Sequence, residues 1–211
     1  MLFEIALNGL LLGGLYTLMG AGFSMQWGIS GIINLSYGGM IVLGGYIAIG
    51  LDFFVVHLPL IKVILFGISI LAVLLVYLFM NRTKPGKAIQ ASALNPDGAR
   101  FIGINTERMY MYNFGIGCAI AAVAGALSSN INAFSVVLAG GLLGKVFVIT
   151  VLGGLGNIWG AALGGITLGL VESFGTVTVG SEYNEALGLI VMVVVLVLRP
   201  RGLIGKKFWD V

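Results

Sequence analysis

Long uncharged apolar intervals, separated by short clusters of charged residues, are the main feature of the chain. About 20 apolar residues at a rise of about 1.5 Å each cross a hydrocarbon core of roughly 30 Å. Residues 5–51 contain no charged side chain and have room for two crossings, with an interruption at Gly28, Ser30 and Gly31. Further uncharged segments occupy residues 63–81, 109–144, 146–171 and about 186–198. The pattern predicts about seven membrane segments, some of them broken or re-entrant.

Two stretches are predicted to interrupt the later segments. A run of short polar residues predicts a turn or a broken helix within 109–144, namely Ser128, Ser129, Asn130 and Asn132. Residues 146–171 are expected to form a strongly apolar membrane span that ends at Glu172. The glycine-rich residues 153–157 within this interval disfavour regular helix. Irregular backbone at membrane depth survives only where protein or a watery cavity covers it. Such breaks often supply transporter sites.

The glycine content supports close packing of these helices. Glycine accounts for 34 of 211 residues, and small residues let membrane helices approach closely. The residues singled out for packing or breaks are Gly153, Gly154, Gly156, Gly160 and Gly164, and the last three, spaced by four, are predicted to share one helix face. The pairs Gly9/Gly13, Gly140/Gly144 and Gly165/Gly169 have the same spacing. They indicate tight packing within a monomer or, alternatively, a subunit interface.

Composition places the chain among all-α integral membrane proteins. Hydrophobic residues make up 59% and charged residues 9% of the chain, against about 45–50% and about 25% in ordinary soluble domains. A soluble fold could not bury so much apolar surface. We therefore predict one membrane domain over residues 1–211, a helical bundle in which residues 82–108 form a polar loop.

The distribution of charge predicts the orientation, because cytoplasmic loops retain an excess of Lys and Arg. Residues 82–108 hold Arg82, Lys84, Lys87, Arg100 and Arg108, and the tail holds Arg199, Arg201, Lys206 and Lys207. Residues 172–185 hold only acidic charges. Both basic clusters are therefore expected in the cytoplasm and the acidic loop outside. No basic stripe interleaves with aromatic residues, so nucleic-acid binding is not expected.

The basic loop contains a predicted short helix. Asn95 followed by Pro96 is typical of an N-cap with proline in the first turn, and Asp97 lies where the helix dipole favours an anion. Apolar residues follow at Ala99, Phe101, Ile102 and Ile104, and the helix is expected to end near Gly103. Such a helix suits docking to another protein or, equally, a position on the lipid surface.

At these residues the chain resembles the inner-membrane permeases of the branched-chain (hydrophobic) amino-acid ABC transporters. The matching loop residues are Gly86, Lys87, Ala88, Ala91, Asp97, Ala99, Gly103, Ile104, Asn105 and Arg108. Residues 28–46, 144–173 and 198–206 are similar to the family's early broken segment, late helix and C-terminal signature. The family's permeases are longer where this chain has only residues 51–63, so the chain is either a reduced form or lacks residues there.

The resemblance implies a permease of a bacterial or archaeal plasma membrane that shares its path with a second, related or identical permease. Two cytoplasmic ATPase subunits would drive alternating access, and a periplasmic or lipid-anchored binding protein would deliver the solute to the acidic outer loop. The 90–103 helix would then be the coupling helix. Its expected coupling residues are Ala91, Asn95, Asp97, Ala99, Arg100 and Gly103.

Candidate substrate contacts are Asn34, Ser36 and Tyr37, polar side chains in an apolar segment. Polar groups at that depth are costly unless paired, and interhelical hydrogen bonding explains them equally well. Glu172 is expected to be an interfacial charge. His57 is expected to be a surface or interface residue rather than part of a proton relay.

The sequence contains no motif that indicates catalysis, a cofactor or a bound metal. The closest approach to a phosphate loop, at Gly144 and Lys145, has Val146 where Ser or Thr is required. One His and one Cys cannot form an ordinary metal cluster. The chain is therefore expected to be a non-enzymatic permease subunit without a cofactor. The alternative is an ATP-independent channel or secondary transporter, but such a carrier should bury ionisable residues in its spans, and the spans are almost free of them.

Overall fold

The computed structural model describes residues 2–50, 61–131 and 135–204, and these ranges contain helices and no β-strand. Interpretations that fall on His57, Asn132, Lys206 and Lys207 lie outside the described residues. The helices are α1 (Leu2–Ser30), α2 (Tyr37–Gly50), α3 (Ile61–Arg82), α4 (Lys84–Leu94), α5 (Pro96–Phe101), α6 (Thr106–Ser128), α7 (Leu138–Gly153), α8 (Ile158–Thr178) and α9 (Asn184–Leu198). The all-α prediction is confirmed.

Five of the described helical segments are long and apolar enough to cross a membrane: α1, α3, α6, α8 and Ser181–Leu198, which includes α9. The apolar helices α2 and α7 have 14 and 16 residues, which at 1.5 Å per residue cover only about 21 and 24 Å. Together these seven segments agree with the predicted number. The two short helices are the broken segments that the sequence pattern indicates.

The prediction of a single span over residues 146–171 is wrong. The chain leaves helical geometry after Gly153 and re-enters it at Ile158, so the interval is divided between α7 and α8. Helix α8 then continues past Glu172 to Thr178. The predicted irregularity at residues 153–157 is confirmed.

Helix α1 forms the centre of the bundle and runs antiparallel to α8. Its residues from Leu15 to Gln26 are buried without interruption. A Cβ on Gly13 would lie 2.7 Å from the Cα of Ile166, closer than real Cβ atoms approach. Ser173 Oγ, near the end of α8, donates to Ile5 O near the start of α1 at 2.7 Å. The small-residue pairs Gly9/Gly13 and Gly165/Gly169 therefore pack against one another within this chain.

Helices α4 and α5 lie at one end of the bundle, together with residues 154–157 and 199–204. This end is here called the loop end. Leu203 N donates to Leu152 O at 2.9 Å, and Asn157 Nδ2 donates to Ile204 O at 3.1 Å. On the other side, Gln90 Nε2 of α4 donates to Met80 O of α3 at 3.0 Å. Gln90 of α4 and Asn157 of the hairpin turn line the same pocket, so the basic loop and the described part of the basic tail lie at the same end, as the charge pattern predicts.

Candidate functional site

Asn95 divides the loop into two helices. It is both the C-cap of α4, where its N–H donates to Ala91 O at 3.0 Å, and the N-cap of α5. Its Oδ1 accepts a hydrogen bond from Gly98 N at 2.8 Å. Because proline disfavours helical geometry in the residue before it, Pro96 separates α4 from α5. The predicted cap is confirmed, but the continuous helix over residues 90–103 is wrong.

Helix α5 is fixed to the start of α6. The Ala99 side chain is buried, and Arg100 Nε donates to Thr106 Oγ1 at 3.0 Å. Arg100 Nη1 also lies 3.4 Å from Asp97 Oδ1, but this pair is solvent-exposed and contributes at most about 1 kcal/mol. Gly103 has a φ of +86° and carries the chain from α5 into α6. Five of the six expected coupling residues thus lie on α5 and the two turns that flank it, whereas Ala91 lies on α4.

Three large apolar side chains at the loop end face away from the bundle. Their exposed fractions are 73% for Leu94, 91% for Phe101 and 75% for Ile102. Ala99 of the same helix is buried, so α5 presents one side to the bundle and another outward. Either alternative drawn from the sequence, protein docking or a lipid surface, would cover these side chains.

The polar residues between α1 and α2 take part in a hydrogen-bonded network. Tyr37 Oη donates to Met19 O at 2.9 Å, and Asn34 Nδ2 donates to Gln26 Oε1 at 3.3 Å. Ser36 N donates to Asn34 Oδ1 at 3.0 Å, whereas the Ser36 side chain is exposed. These contacts tie the broken segment to α1. A substrate contact by Asn34, Ser36 or Tyr37 stays a prediction.

The glycines of α7 and α8 let the two backbones touch. A Cβ on Gly153 or Gly160 would overlap the backbone of the other residue, and a Cβ on Gly164 would overlap Ile149 O. Helices α7 and α8 therefore form a tight antiparallel hairpin.

The turn of this hairpin also needs glycine. Gly154 and Gly156 have φ values of +105° and +74°, which side chains other than glycine rarely adopt. The Cα of Gly156 packs on Gly28 of α1. Gly156 precedes α8, so the prediction that it shares a helix face with Gly160 and Gly164 is wrong.

A buried ion pair joins α7 to α8. Lys145 Nζ lies 3.0 Å from Glu172 Oε1, and Tyr16 Oη of α1 donates to Glu172 Oε2 at 2.6 Å. Lys145 Nζ also donates to the Tyr16 hydroxyl at 3.2 Å. Only 6% of the Glu172 side chain is exposed. The expectation that the membrane segment stops at Glu172 is therefore wrong, because α8 extends beyond this residue and α1 covers its side chain.

A cavity of about 330 Å³ opens beside this pair, between α7, α8 and α9. Its lining comprises Gly140, Gly141, Gly144, Lys145, Val148, Leu168, Glu172, Glu185, Gly188 and Leu189. A Cβ on Gly140 or Gly144 would meet no atom of the described residues within 4 Å, so this glycine pair bounds open space and packs against none of the described helices. The cavity lies toward the end of the bundle opposite the loop end, because Glu185 begins α9.

Sequence reasoning missed this site because it treated the two charges as the boundaries of a span. The sequence does contain a signal for this site. The glycine-rich residues 153–157 lie between Lys145 and Glu172, and a turn there brings the two opposite charges together. An unpaired charge buried in a protein is costly, so Lys145 and Glu172 stabilise one another. No group of three His, Cys, Asp or Glu side chains suited to a metal occurs in the described part of the chain.

Comparison with known proteins identifies relatives of this chain. Residues 48–198 match the family described as "Branched-chain amino acid transport system / permease component". The chain is 34% identical over 149 residues to the high-affinity branched-chain amino acid transport system permease protein LivH of Escherichia coli, covering 69% of this chain and 47% of the relative.

Proteins of two other organisms are also similar. The permease protein BraD of Pseudomonas aeruginosa is 34% identical over 148 residues, covering 69% of this chain and 48% of the relative. The probable permease protein LivH of Methanocaldococcus jannaschii is 31% identical over 154 residues, covering 68% and 49%. The chain spans about half the length of these curated relatives. No solved structure gives a significant match.

Proposed function

Because the chain belongs to the permease family of branched-chain amino-acid transport systems, we propose that it forms the translocation path of an ATP-driven importer. Its solutes would be branched-chain amino acids or similar small molecules. A second permease, homologous or identical, would complete the path, and ATP hydrolysis would take place on two cytoplasmic ATPase subunits. A periplasmic or lipid-anchored binding protein would supply the solute at the plasma membrane of a bacterium or archaeon.

The observation that carries this proposal is the outward apolar side of α5 at the loop end. Phe101 and Ile102 are strongly exposed, although Ala99 and the caps of α5 hold the helix in place. Basic residues surround this end, and the excess of Lys and Arg favours a cytoplasmic location. An ordered, exposed apolar helix on the side where ATP is present would suit docking to an ATPase.

The loop is connected to the bundle firmly enough to transmit movement. Ile89 of α4 is fully buried, and Tyr110 Oη of α6 donates to Ser92 O of α4 at 3.1 Å. A Cβ on Gly86 would overlap the backbone of α3, so α4 lies directly on α3. A displacement of α5 by the ATPase would therefore reach α3 and α6 through rigid contacts.

The helix breaks would provide the points at which the bundle changes shape. The turn of the α7–α8 hairpin packs through Gly156 on Gly28, close to the end of α1. Asn34, Ser36 and Tyr37 follow that end directly and would lie along the path. The acidic outer loop at the opposite end, which includes Glu182, would face the binding protein.

Co-purification of the chain with its ATPase subunits tests the docking role. The double substitution Phe101→Ser with Ile102→Ser should reduce the recovered ATPase at least about tenfold, since it removes the exposed apolar contact. Val137→Ser is the matched control, because Val137 is 87% exposed but precedes α7 at the opposite end. Equal ATPase recovery with the double variant and with the control would contradict the proposed docking surface.

A further inference from the structure

The geometry points to the cavity between α7, α8 and α9 as a binding site for one zwitterionic aliphatic α-amino acid. This inference rests on the proposed function, because it assigns the solute of the importer to a defined place in the chain. At about 330 Å³, the cavity is at the lower end of the range of about 300–1,000 Å³ for small-molecule sites. It is therefore sized for a solute of a few heavy atoms.

Open glycines create the space. Gly140 and Gly144 belong to α7, and a Cβ on either residue would meet no atom within 4 Å. The glycines of the hairpin, such as Gly153 and Gly160, instead pack backbone against backbone. The two kinds of glycine in the hairpin thus differ in role. The glycines near the loop end allow α7 to pack closely on α8. The glycines near the opposite end leave space beside α7 because they have no side chains.

Charges of both signs border this space. Lys145 lines the cavity, and 23% of its side chain is exposed although it is paired with Glu172. Glu185 enters from the first turn of α9, and its Oε1 lies 3.0 Å from the position that a Cβ of Gly141 would occupy. Lys145 would attract the carboxylate of the solute. The Glu185 carboxylate, which is not part of the Lys145–Glu172 pair, would accept its ammonium group.

The remaining wall is apolar. Val148 of α7, Leu168 of α8 and Leu189 of α9 complete the lining described above. An aliphatic side chain placed against them would lose contact with water without leaving a polar group unpaired. The combination of an ammonium group at Lys145, a carboxylate at Glu185 and an aliphatic wall matches leucine-like amino acids better than amides or sugars, which have no ionised groups to pair. The position toward the end opposite the loop end would receive solute from outside.

Binding of tritiated L-leucine to the complete transporter complex in lipid nanodiscs tests the site. Gly144→Leu should abolish binding by filling the cavity, and Glu185→Gln should weaken it roughly tenfold or more by removing one charged partner. Neither substitution changes the Lys145–Glu172 pair. Gly67→Leu is the matched control, because a Cβ on Gly67 of α3 also meets no atom within 4 Å and Gly67 does not line the cavity. It should bind like the unmodified chain.

Two analogues test the zwitterion requirement. Isopentylamine lacks the carboxylate of leucine and 4-methylpentanoate lacks its ammonium group, so each should compete at least about tenfold more weakly than L-leucine. Equal competition by the analogues, or binding by Gly144→Leu and Glu185→Gln within twofold of the unmodified chain, would overturn the site. Absence of L-leucine binding to the unmodified complex would also overturn it.

ATP-dependent uptake of L-leucine by the same complexes in proteoliposomes separates the two proposals. Equal rates of uptake by the unmodified chain, Gly144→Leu and Glu185→Gln would contradict the binding site and would not contradict the importer function. Binding to the unmodified chain that requires Gly144 and Glu185, without any ATP-dependent uptake, would support the site and contradict the importer function.

Discussion

Lys145 Nζ lies 3.0 Å from Glu172 Oε1, although the two residues are 27 positions apart and bracket an uncharged interval. On one continuous helix that separation would place their Cα atoms about 40 Å apart. The break at residues 154–157 folds the interval into the α7–α8 hairpin and brings its two ends together. The ion pair is therefore a consequence of the glycine-rich turn.

Removing one member of this pair should destabilise the protein strongly. Lys145→Met leaves Glu172 buried without its counter-ion, and breaking a buried pair in this way typically costs about 3–5 kcal/mol. The double variant Lys145→Met with Glu172→Gln should cost less, because no uncompensated charge remains. Unfolding of the purified protein in mild detergent measures both free energies.

The control for this prediction is Lys62→Met. Lys62 Nζ donates to Asn8 Oδ1 at an exposed position, so its loss should change stability by only about 0.5 kcal/mol. Equal free energies of unfolding for Lys145→Met and for the double variant would show that an unpaired Glu172 is not destabilising. This result would contradict the buried pairing of α7 with α8.

The close approach of α1 and α8 predicts a large difference between two glycine-to-leucine substitutions. Gly13→Leu should destabilise the bundle by about 1–3 kcal/mol or more, because its Cβ would meet the backbone of α8 at Ile166. Gly67→Leu on α3 should be tolerated, since its Cβ has open space. Thermal unfolding monitored by size-exclusion chromatography compares them, and equal midpoints would show that α1 and α8 do not pack as described.

The cap at Asn95 predicts an effect on coupling that a conservative substitution avoids. Asn95→Ala removes the Oδ1 that accepts from Gly98 N and should cost about 1 kcal/mol of α5 stability. Asn95→Asp retains an N-cap acceptor and should behave like the unmodified chain. The ratio of solute imported to ATP hydrolysed should fall for Asn95→Ala alone. Similar ratios for the alanine and aspartate variants would argue against a role for the capped α5 helix.

Local signals in the sequence were sufficient for the Asn95 cap and insufficient for the buried pair. The Asn95–Pro96 cap depends on neighbouring residues, because Pro96 restricts the residue before it and Asn95 accepts from an N–H three positions later. The pairing of Lys145 with Glu172 depends on how two helices fold against α1, so Glu172 was expected at an interface. Its hydrogen bond from Tyr16 spans 156 positions.

The glycine pattern was interpreted correctly in part. Spacing by four predicts close packing of Gly9 and Gly13, within the chain or at a subunit interface, and the structure packs both of them on α8 of the same chain. The same spacing at Gly140 and Gly144 marks open space. A sequence alone cannot separate the two outcomes, because a glycine is equally suited to close contact and to an empty wall. Only the position of the neighbouring helix decides between them.

Uptake of L-leucine by proteoliposomes that contain the chain, its partner permease and the ATPase subunits tests the central claim most directly. Uptake should require the binding protein together with ATP and the ATPase on the same side of the membrane as α5, and it should be lost when the ATPase is omitted. Uptake at the full rate without the ATPase would contradict the account and identify an ATP-independent channel or secondary transporter.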